Sequence, residues 1–340
     1  MPSLIDTDDL IQKNLISLNQ SLTQKILPYT QKSGDWSTAI EGLVFHRRDW
    51  NYLHENCIFP PTISVVTQGY RRTFLGNQEY RLKSGKCIVL STDIPCISYT
   101  TEATPENPFL SISLQIDQHL ASQLVSEIPF PTSRENDFQN VSVNRVDIHV
   151  LKAFERLVDL LDTPDDIPHL APLIIREIHY RILKGRQGDF LRQAHTLGTQ
   201  SNQITRAILW LRKHFREPLF VEQLAHQVNM ATSTFYRQFK TVTQTSPIQF
   251  QKKLRLHEAQ RLIQVEKKYA TTAALSVGYE NPKQFSREYK RFFGRPPSHD
   301  LKKATEPQTV PENPDRKQIR PDKHFHSPSC TPHVCILDQN

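Results

Sequence analysis

Two sets of side chains recur along this 340-residue chain at matching spacing: Ser233, Tyr236, Arg237 and Lys240, then Lys283, Ser286, Arg287 and Lys290. Each set falls at i, i+3, i+4 and i+7, so on a helix its members share one face. Hydroxyls, an arginine and lysines gathered on one face are hydrogen-bond donors with positive charge. That is chemistry for holding a polyanion rather than for breaking a bond. Aromatic residues mark the opposite face. At 100° per residue, Phe235 and Phe239 lie at about 0° and 40°, while Ser233, Tyr236, Arg237 and Lys240 lie at about 160°, 100°, 200° and 140°. Phe285, Tyr289 and Phe292 play the aromatic part in the second set. One amphipathic helix with a solvated polar face would show such a pattern by default; a matched pair is harder to attribute to solvation.

The elements that must carry these faces also repeat. Leu219 to Val228 reads as a short amphipathic helix, Asn229-Met230 as a turn, and Thr232 to Thr241 as a second helix. In the second copy Thr271 to Val277 precedes Gly278-Tyr279, and the next helix starts at Asn281-Pro282, an N-cap followed by proline at the first helical position. Ala225 and Ala274 stand four residues before the two turns, where a small side chain lets crossing helices approach. Helix, tight turn, helix is the arrangement that sets a second helix into a DNA groove. Between the copies, Pro247 to Gln264 reads as one helix of about 27 Å. Ile248, Leu256, Ala259, Leu262 and Ile263 fall on one side of it, and Phe250 and Leu254 on the other. The expectation is that each side docks one copy.

Charge divides the chain in the same place. Residues 200–303 hold 19 Lys and Arg against 7 Asp and Glu, a net of +12, whereas residues 1–199 carry −4 and residues 304–340 carry −1. A strongly basic segment beside weakly acidic ones fits a polyanion-binding module joined to a part that does not bind polyanions. No apolar run approaches the roughly 18–20 residues of a membrane span. The N-terminus has neither a basic start nor a continuous apolar stretch, so no secretory leader is expected. Cys57, Cys87, Cys96, Cys330 and Cys335 are too scattered for a disulfide framework, and a reducing compartment, the cytoplasm, is the expected location.

Ahead of the basic segment, residues 7–27 read as an amphipathic helix with Leu15, Leu18, Leu22 and Ile26 on one side. From about 40 to 116 short β-branched and aromatic runs (Thr62–Thr67, Arg71–Leu75, Cys87–Leu90, Phe109–Ile116) alternate with turn residues such as Gly69, Gly76-Asn77 and Ser84-Gly85. This is the texture of an antiparallel sheet or small barrel. Helical patterns return near 117–126, 146–161 and 167–185. The tail after Lys303 is polar and proline-rich, and disorder is expected there. Trp36, His46, Arg47, Trp50, Tyr52 and Phe74 are a mixed aromatic and polar set suited either to a core or to an effector pocket. Cys57, Cys87 and Cys96 suit either small buried hydrophobes or sensors of oxidants. His324, His326, Cys330, His333 and Cys335 are metal-binding types at a spacing that fits no standard zinc module. No phosphate loop, nucleophile elbow or paired-carboxylate motif occurs, and 10 glycines in 340 residues argue against a dinucleotide-binding fold.

The stretch NMATSTFYRQFKTVTQTSPIQFQKKLRLHEAQRLI, followed by AALSVGYENPKQFSREYKRFFGRPPSHD, closely resembles the C-terminal DNA-binding domain of AraC/XylS-type transcriptional regulators over about residues 200–303. Residues 30–185, with VTQGYRRTFLGNQEYRLKSGKCIVLSTDIP, resemble the N-terminal domain of a subgroup of them. The resemblance implies base reading by Ser233, Tyr236 and Arg237, then by Lys283, Gln284, Ser286 and Arg287, with Pro282 at a further such place but bearing no polar group. It implies phosphate contacts by Lys240 and Lys290. Arg237 and Arg287 would suit guanine and Gln284 adenine. Ala231 departs from the serine common at the first helix's cap. The barrel would be cupin-like, but His46, His54 and His119 lack the His-x-His arrangement of metal-dependent cupins, and neither metal nor cofactor is expected.

The fold class expected is therefore α+β: a helical arm at 1–28, an effector or dimerisation domain with a small β-barrel and helices at 29–199, an all-α double helix-turn-helix domain at 200–303, and a disordered tail at 304–340. The expected function is sequence-specific regulation of transcription through two successive major grooves, under control of a signal-sensing domain, without enzyme activity. The alternative is a cupin-type sensor enzyme localised to DNA by its basic domain. An architectural protein binding by charge alone would need only Lys and Arg at the outward places. Duplex DNA is the expected partner; RNA polymerase, an unidentified small-molecule effector and a second copy of the chain are further candidates, and a membrane is not.

Overall fold

The computed structural model describes residues 7–75, 78–128, 140–185 and 188–305. Helix α1 (Thr7–Ile26) leads into strands β1 (Gly34–Ser37), β2 (Leu43–Arg48), β3 (Tyr52–Phe59), β4 (Thr62–Gln68), β5 (Tyr70–Leu75), β6 (Gln78–Lys83), β7 (Lys86–Leu90), β8 (Ile94–Thr101) and β9 (Phe109–Gln115). Then come α2 (Gln118–Glu127), β10 (Val141–Arg145), α3 (Ile148–Asp159), α4 (Ile167–Lys184) and α5 (Asp189–His195). The remainder is helical: α6 (Gln200–His214), α7 (Val221–Gln227), α8 (Thr232–Thr243), α9 (Pro247–Gln264), α10 (Ala270–Ser276), α11 (Pro282–Phe293) and α12 (Pro297–Thr305). The α+β class is as expected, but the strands do not close into a ring. They form a six-stranded antiparallel sheet, β1-β2-β9-β4-β7-β10, and a four-stranded one, β3-β8-β5-β6. The tail with its His and Cys residues, and the Gly76-Asn77 turn, lie outside the described residues.

Contacts divide the chain into two compact units, one of residues 1–214 and 219–251, the other of 215–218 and 252 onward. In the first, strand alternation sorts side chains between two cores. Phe45, Ile63, Val65, Cys87, Val89, Ile112 and Leu114 face the helices, where they meet Leu22 and Ile26 of α1 and Leu151, Phe154 and Leu157 of α3. Ile88, Leu90 and Phe109 point the other way and meet Cys57, Leu75, Leu82, Ile94 and Cys96 of the smaller sheet. Helix α1 stops where Pro28 cannot continue it. Its buried Asn19 donates to the Thr67 carbonyl at 2.6 Å, tying helix to sheet.

The first helix-turn-helix lies in this unit. Val221, Leu224, Ala225, Phe235, Phe239 and Phe250 are buried, with Phe239 edge-on to Phe250 of α9 at 5.6 Å. Arg212 of α6 pairs with Asp93, just before β8, at 3.0 Å, and the Asn140 amide, just before β10, donates to the Val242 carbonyl of α8. In the second unit Leu256, Ala259, Leu262 and Ile263 of α9 pack with Ala273, Ala274, Val277, Phe285 and Tyr289. Leu254 packs against this same core, and Ile248 is exposed, contrary to the two-sided reading of α9. The second unit encloses the helix beyond residue 251: Lys252 reaches Glu288, and His257 meets the rings of Phe292 and Phe293. The helix is thus shared lengthwise, by Phe250 at one end and Leu254 to Ile263 at the other.

The two turns solve one problem with different residues. Asn229 and Gly278 both adopt left-handed backbone, at φ 57° and 86°. Asn tolerates that region and Gly occupies it freely. A Cβ at Gly278 would also collide with the Arg216 carbonyl. Gly278→Ala should therefore cost about 1–3 kcal/mol or more, whereas Asn229→Gly should stay within about 0.5 kcal/mol. Denaturant unfolding of the two variants checks this; equal losses would refute the distinction.

Candidate nucleic-acid interface

Buried aromatics orient both outward helix faces. Phe235 and Phe239 are fully buried, their rings 5.5 Å apart, and Phe285 and Tyr289 repeat the arrangement at 5.4 Å. Burying such side chains contributes roughly 1.5–3 kcal/mol each, enough to fix which way a 12-residue helix turns. Ser233, Tyr236, Arg237 and Lys240 are consequently exposed on α8, and Lys283, Gln284, Arg287 and Lys290 on α11; Ser286 is half-buried. Each set stays together on one helix face, as its spacing requires.

The two faces start differently. The Asn281 side chain accepts from the Lys283 and Gln284 amides at 2.9 and 3.2 Å, capping α11, with Pro282 in its first turn. Ala231 gives α8 no side-chain cap. A missing cap is worth about 1 kcal/mol, so α8 leans harder on its buried aromatics.

Several other cations of the helical region sit in ion pairs. Arg212 is held by Asp93, Lys252 by Glu288, Arg261 by Glu258 and Arg295 by Asp300. Among the described residues no carboxylate holds Arg237, Lys240, Lys283, Arg287 or Lys290. Gln284 is different: its amide donates to Glu288 at 3.2 Å, so reading a base would mean leaving that bond. Burial alone would raise the Glu288 carboxyl, but Lys252, Tyr279 and Gln284 hold it below its usual range.

A residue that spacing did not single out holds the second unit together. The Arg255 guanidinium donates to four backbone carbonyls: Phe215 at 2.6 Å, Gly278 at 2.9 Å, Glu217 at 2.9 Å and Arg216 at 3.2 Å. The carbonyls of Phe215, Arg216 and Glu217 follow the end of α6, where partial negative charge collects. Nothing local marks this arginine, since its acceptors are backbone atoms far away in sequence.

The effector set does not assemble as one site. His46 bridges Asp35 and Ser113, each at 2.7 Å, and Arg48 joins Asp35 at 2.7 Å. Burial would raise the Asp35 carboxyl, but His46 and Arg48 hold it well below the usual range. Arg47 instead bonds Asp49 and the Thr30 carbonyl, Trp36 bonds the Lys32 carbonyl, Trp50 is exposed and Phe74 packs edge-on to Tyr99. The Tyr52 side chain lies outside the described residues. No helix among the described residues is long and apolar enough to cross a membrane.

A family model of the AraC-type transcriptional regulator N-terminus matches residues 39–190, and a helix-turn-helix domain model matches residues 224–303. The raffinose operon regulatory protein RafR of Pediococcus pentosaceus is 24% identical over 224 residues, covering 64% of this chain and 76% of the relative. The activator RhaS of Escherichia fergusonii is 27% identical over 155 residues, covering 45% and 55%. In fold, an apo ToxT structure from Vibrio cholerae aligns over 78% of this chain and 98% of its own, with TM-score 0.57 at 10% identity. The two models together account for about two thirds of the residues, and both halves of the chain are similar to those of AraC-type transcriptional regulators.

Proposed function

We propose that this protein regulates transcription by setting α8 and α11 into two successive major grooves of duplex DNA, with residues 200–303 as the binding part and residues 29–199 as the part that receives a signal. One observation carries the reading: two repeated helix faces, each anchored by buried aromatics, present arginine and lysine that no carboxylate among the described residues holds. Ser233, Tyr236, Arg237, Lys283, Gln284, Ser286 and Arg287 are the base readers in this reading, and Lys240 and Lys290 the phosphate contacts. Distinct side chains at the outward places favour sequence reading over charge alone. The reading assigns the chain no catalysis and places it in the cytoplasm. RNA polymerase, a second copy and a small effector are the partners a regulator would add; one ToxT structure holds an unsaturated fatty acid, an example of such an effector in that protein.

Selection of duplexes from a random pool by the full chain tests the proposal, and recovery of no preferred sequence at low salt would refute it. Lys240→Ala and Lys290→Ala should each weaken selected and unrelated duplexes alike and reduce the slope of log affinity against log salt by about 1. A variant that instead changes the preferred sequence would remove that lysine from the phosphate role.

A further inference from the structure

Two thiols of the smaller sheet oppose each other directly. Cys57 of β3 and Cys96 of β8 are register partners, with Sγ atoms 2.8 Å apart and each residue 4% exposed. Opposed residues in antiparallel strands hold their Cα atoms about 4.5–5.5 Å apart. That lies inside the roughly 4.4–6.8 Å that a disulfide spans, so closing the sulfurs to about 2.05 Å asks little of the backbone. Cys87 is no rival partner, because it points from β7 into the helix-facing core, where burial pushes its thiol up to about 12.

One cation shares this interior. The Arg71 guanidinium of β5 lies in the same interior, 4.3 Å over the Phe109 ring, and its Nε has no hydrogen-bond partner among the described residues. Burial and the neighbouring Cys57 hold the Cys96 thiol well above its ordinary range and Arg71 offsets this only in part, so the reactive thiolate is a minor form and closure is slow.

We propose that Cys57 and Cys96 form a two-electron redox site that a small peroxide closes into a cross-strand disulfide, and that closure alters DNA binding. One thiolate attacks a peroxide oxygen, the O–O bond breaks, and water leaves once protonated, giving a sulfenic acid. The second sulfur attacks the first, the S–O bond breaks, and a second water carries off the remaining thiol proton. Two thiols and one hydrogen peroxide thus become one disulfide and two waters. The route to the helices is short. Asp93 immediately precedes β8, three residues before Cys96, and its carboxylate holds Arg212 of α6 at 3.0 Å. A shift at the start of β8 therefore acts on that ion pair. The DNA consequence rests on the regulator reading; the disulfide does not.

The test uses the full chain carrying Cys330→Ser and Cys335→Ser, treated with hydrogen peroxide, then unfolded, alkylated and mapped by mass spectrometry. The expected result is a Cys57–Cys96-linked peptide that dithiothreitol reverses, with a shift of about 5-fold or more in affinity for a duplex selected by the reduced protein. Cys96→Ala should remove both effects while binding that duplex as the reduced parent does, and Cys57→Ala repeats the test should Cys96→Ala unfold. Asp93→Asn should keep the link and diminish the shift. Alkylation of both cysteines after peroxide, or a link to Cys87, overturns the site. A link without an affinity change overturns the transmission. If the reduced protein selects no duplex, the regulator reading and the transmission fall together, while the mapping still decides the disulfide.

Discussion

Arg237→Ala and Arg287→Ala should each cost about 1–3 kcal/mol in affinity for the preferred duplex and relax the preference at one base position. Each guanidinium is exposed on a face held by buried aromatics and is free of any described carboxylate, so it meets DNA without first leaving a partner. The two sit on separate helices of different units, so their losses should add to about 2–6 kcal/mol, roughly 30-fold to 10⁴-fold, in the double variant. Gln284→Ala is the internal contrast. Its amide is already engaged by Glu288, so its removal should cost less than either arginine. Binding titrations against the selected duplex and its single-base variants measure all of this. Both arginine variants keeping the parent's full preference would end the base-reading assignment.

Arg255→Ala should have the largest effect on stability. It leaves four carbonyls without their donor and removes a half-buried charge that nothing else replaces. The Phe215 and Gly278 carbonyls are part-buried and the Arg216 and Glu217 carbonyls exposed to water, so with about 1–3 kcal/mol for each unsatisfied buried group a total of about 2–4 kcal/mol is expected. Arg255→Lys should recover only part of this, because an ammonium cannot span four acceptors with fork geometry. Hydrogen exchange should show α10 and α11 losing protection while the sheets keep theirs. Uniform loss across both units, or none, would contradict the clamp.

The helical half was legible because its periodicity is strong. The α9 boundaries, both outward helix faces and the capped start at Asn281 follow from 3.6-residue spacing and cap chemistry alone. Misjudging Leu254 came from treating a helix side as facing one partner, when the second unit encloses that stretch. The sheet half was legible at β4, β5, β7 and β9, where β-branched and aromatic runs stand between turn residues. Strands β2 and β8 place His46, Arg48, Ser98 and Thr100 toward the protein interior, which breaks the apolar alternation that identifies a strand. Three cysteines were visible, but nothing local says that Cys57 and Cys96 share a register. Arg255 reads as one more cation of a basic helix until its acceptors converge from 23 to 40 residues away.

The tetrapeptide Phe215–Pro218 belongs to the second unit, although the first helix-turn-helix follows it in the chain. During synthesis this segment emerges early and must wait until Gly278 has left the ribosome before its ring of carbonyls and guanidinium can close. The first motif folds as an insertion within that open loop, and the closure entropy of the loop falls on the second. The same ordering governs how the protein can be cut. The helix-turn-helix match begins at residue 224, but a fragment starting there strips Arg255 of three of its four acceptors. A self-sufficient piece has to begin upstream of Phe215.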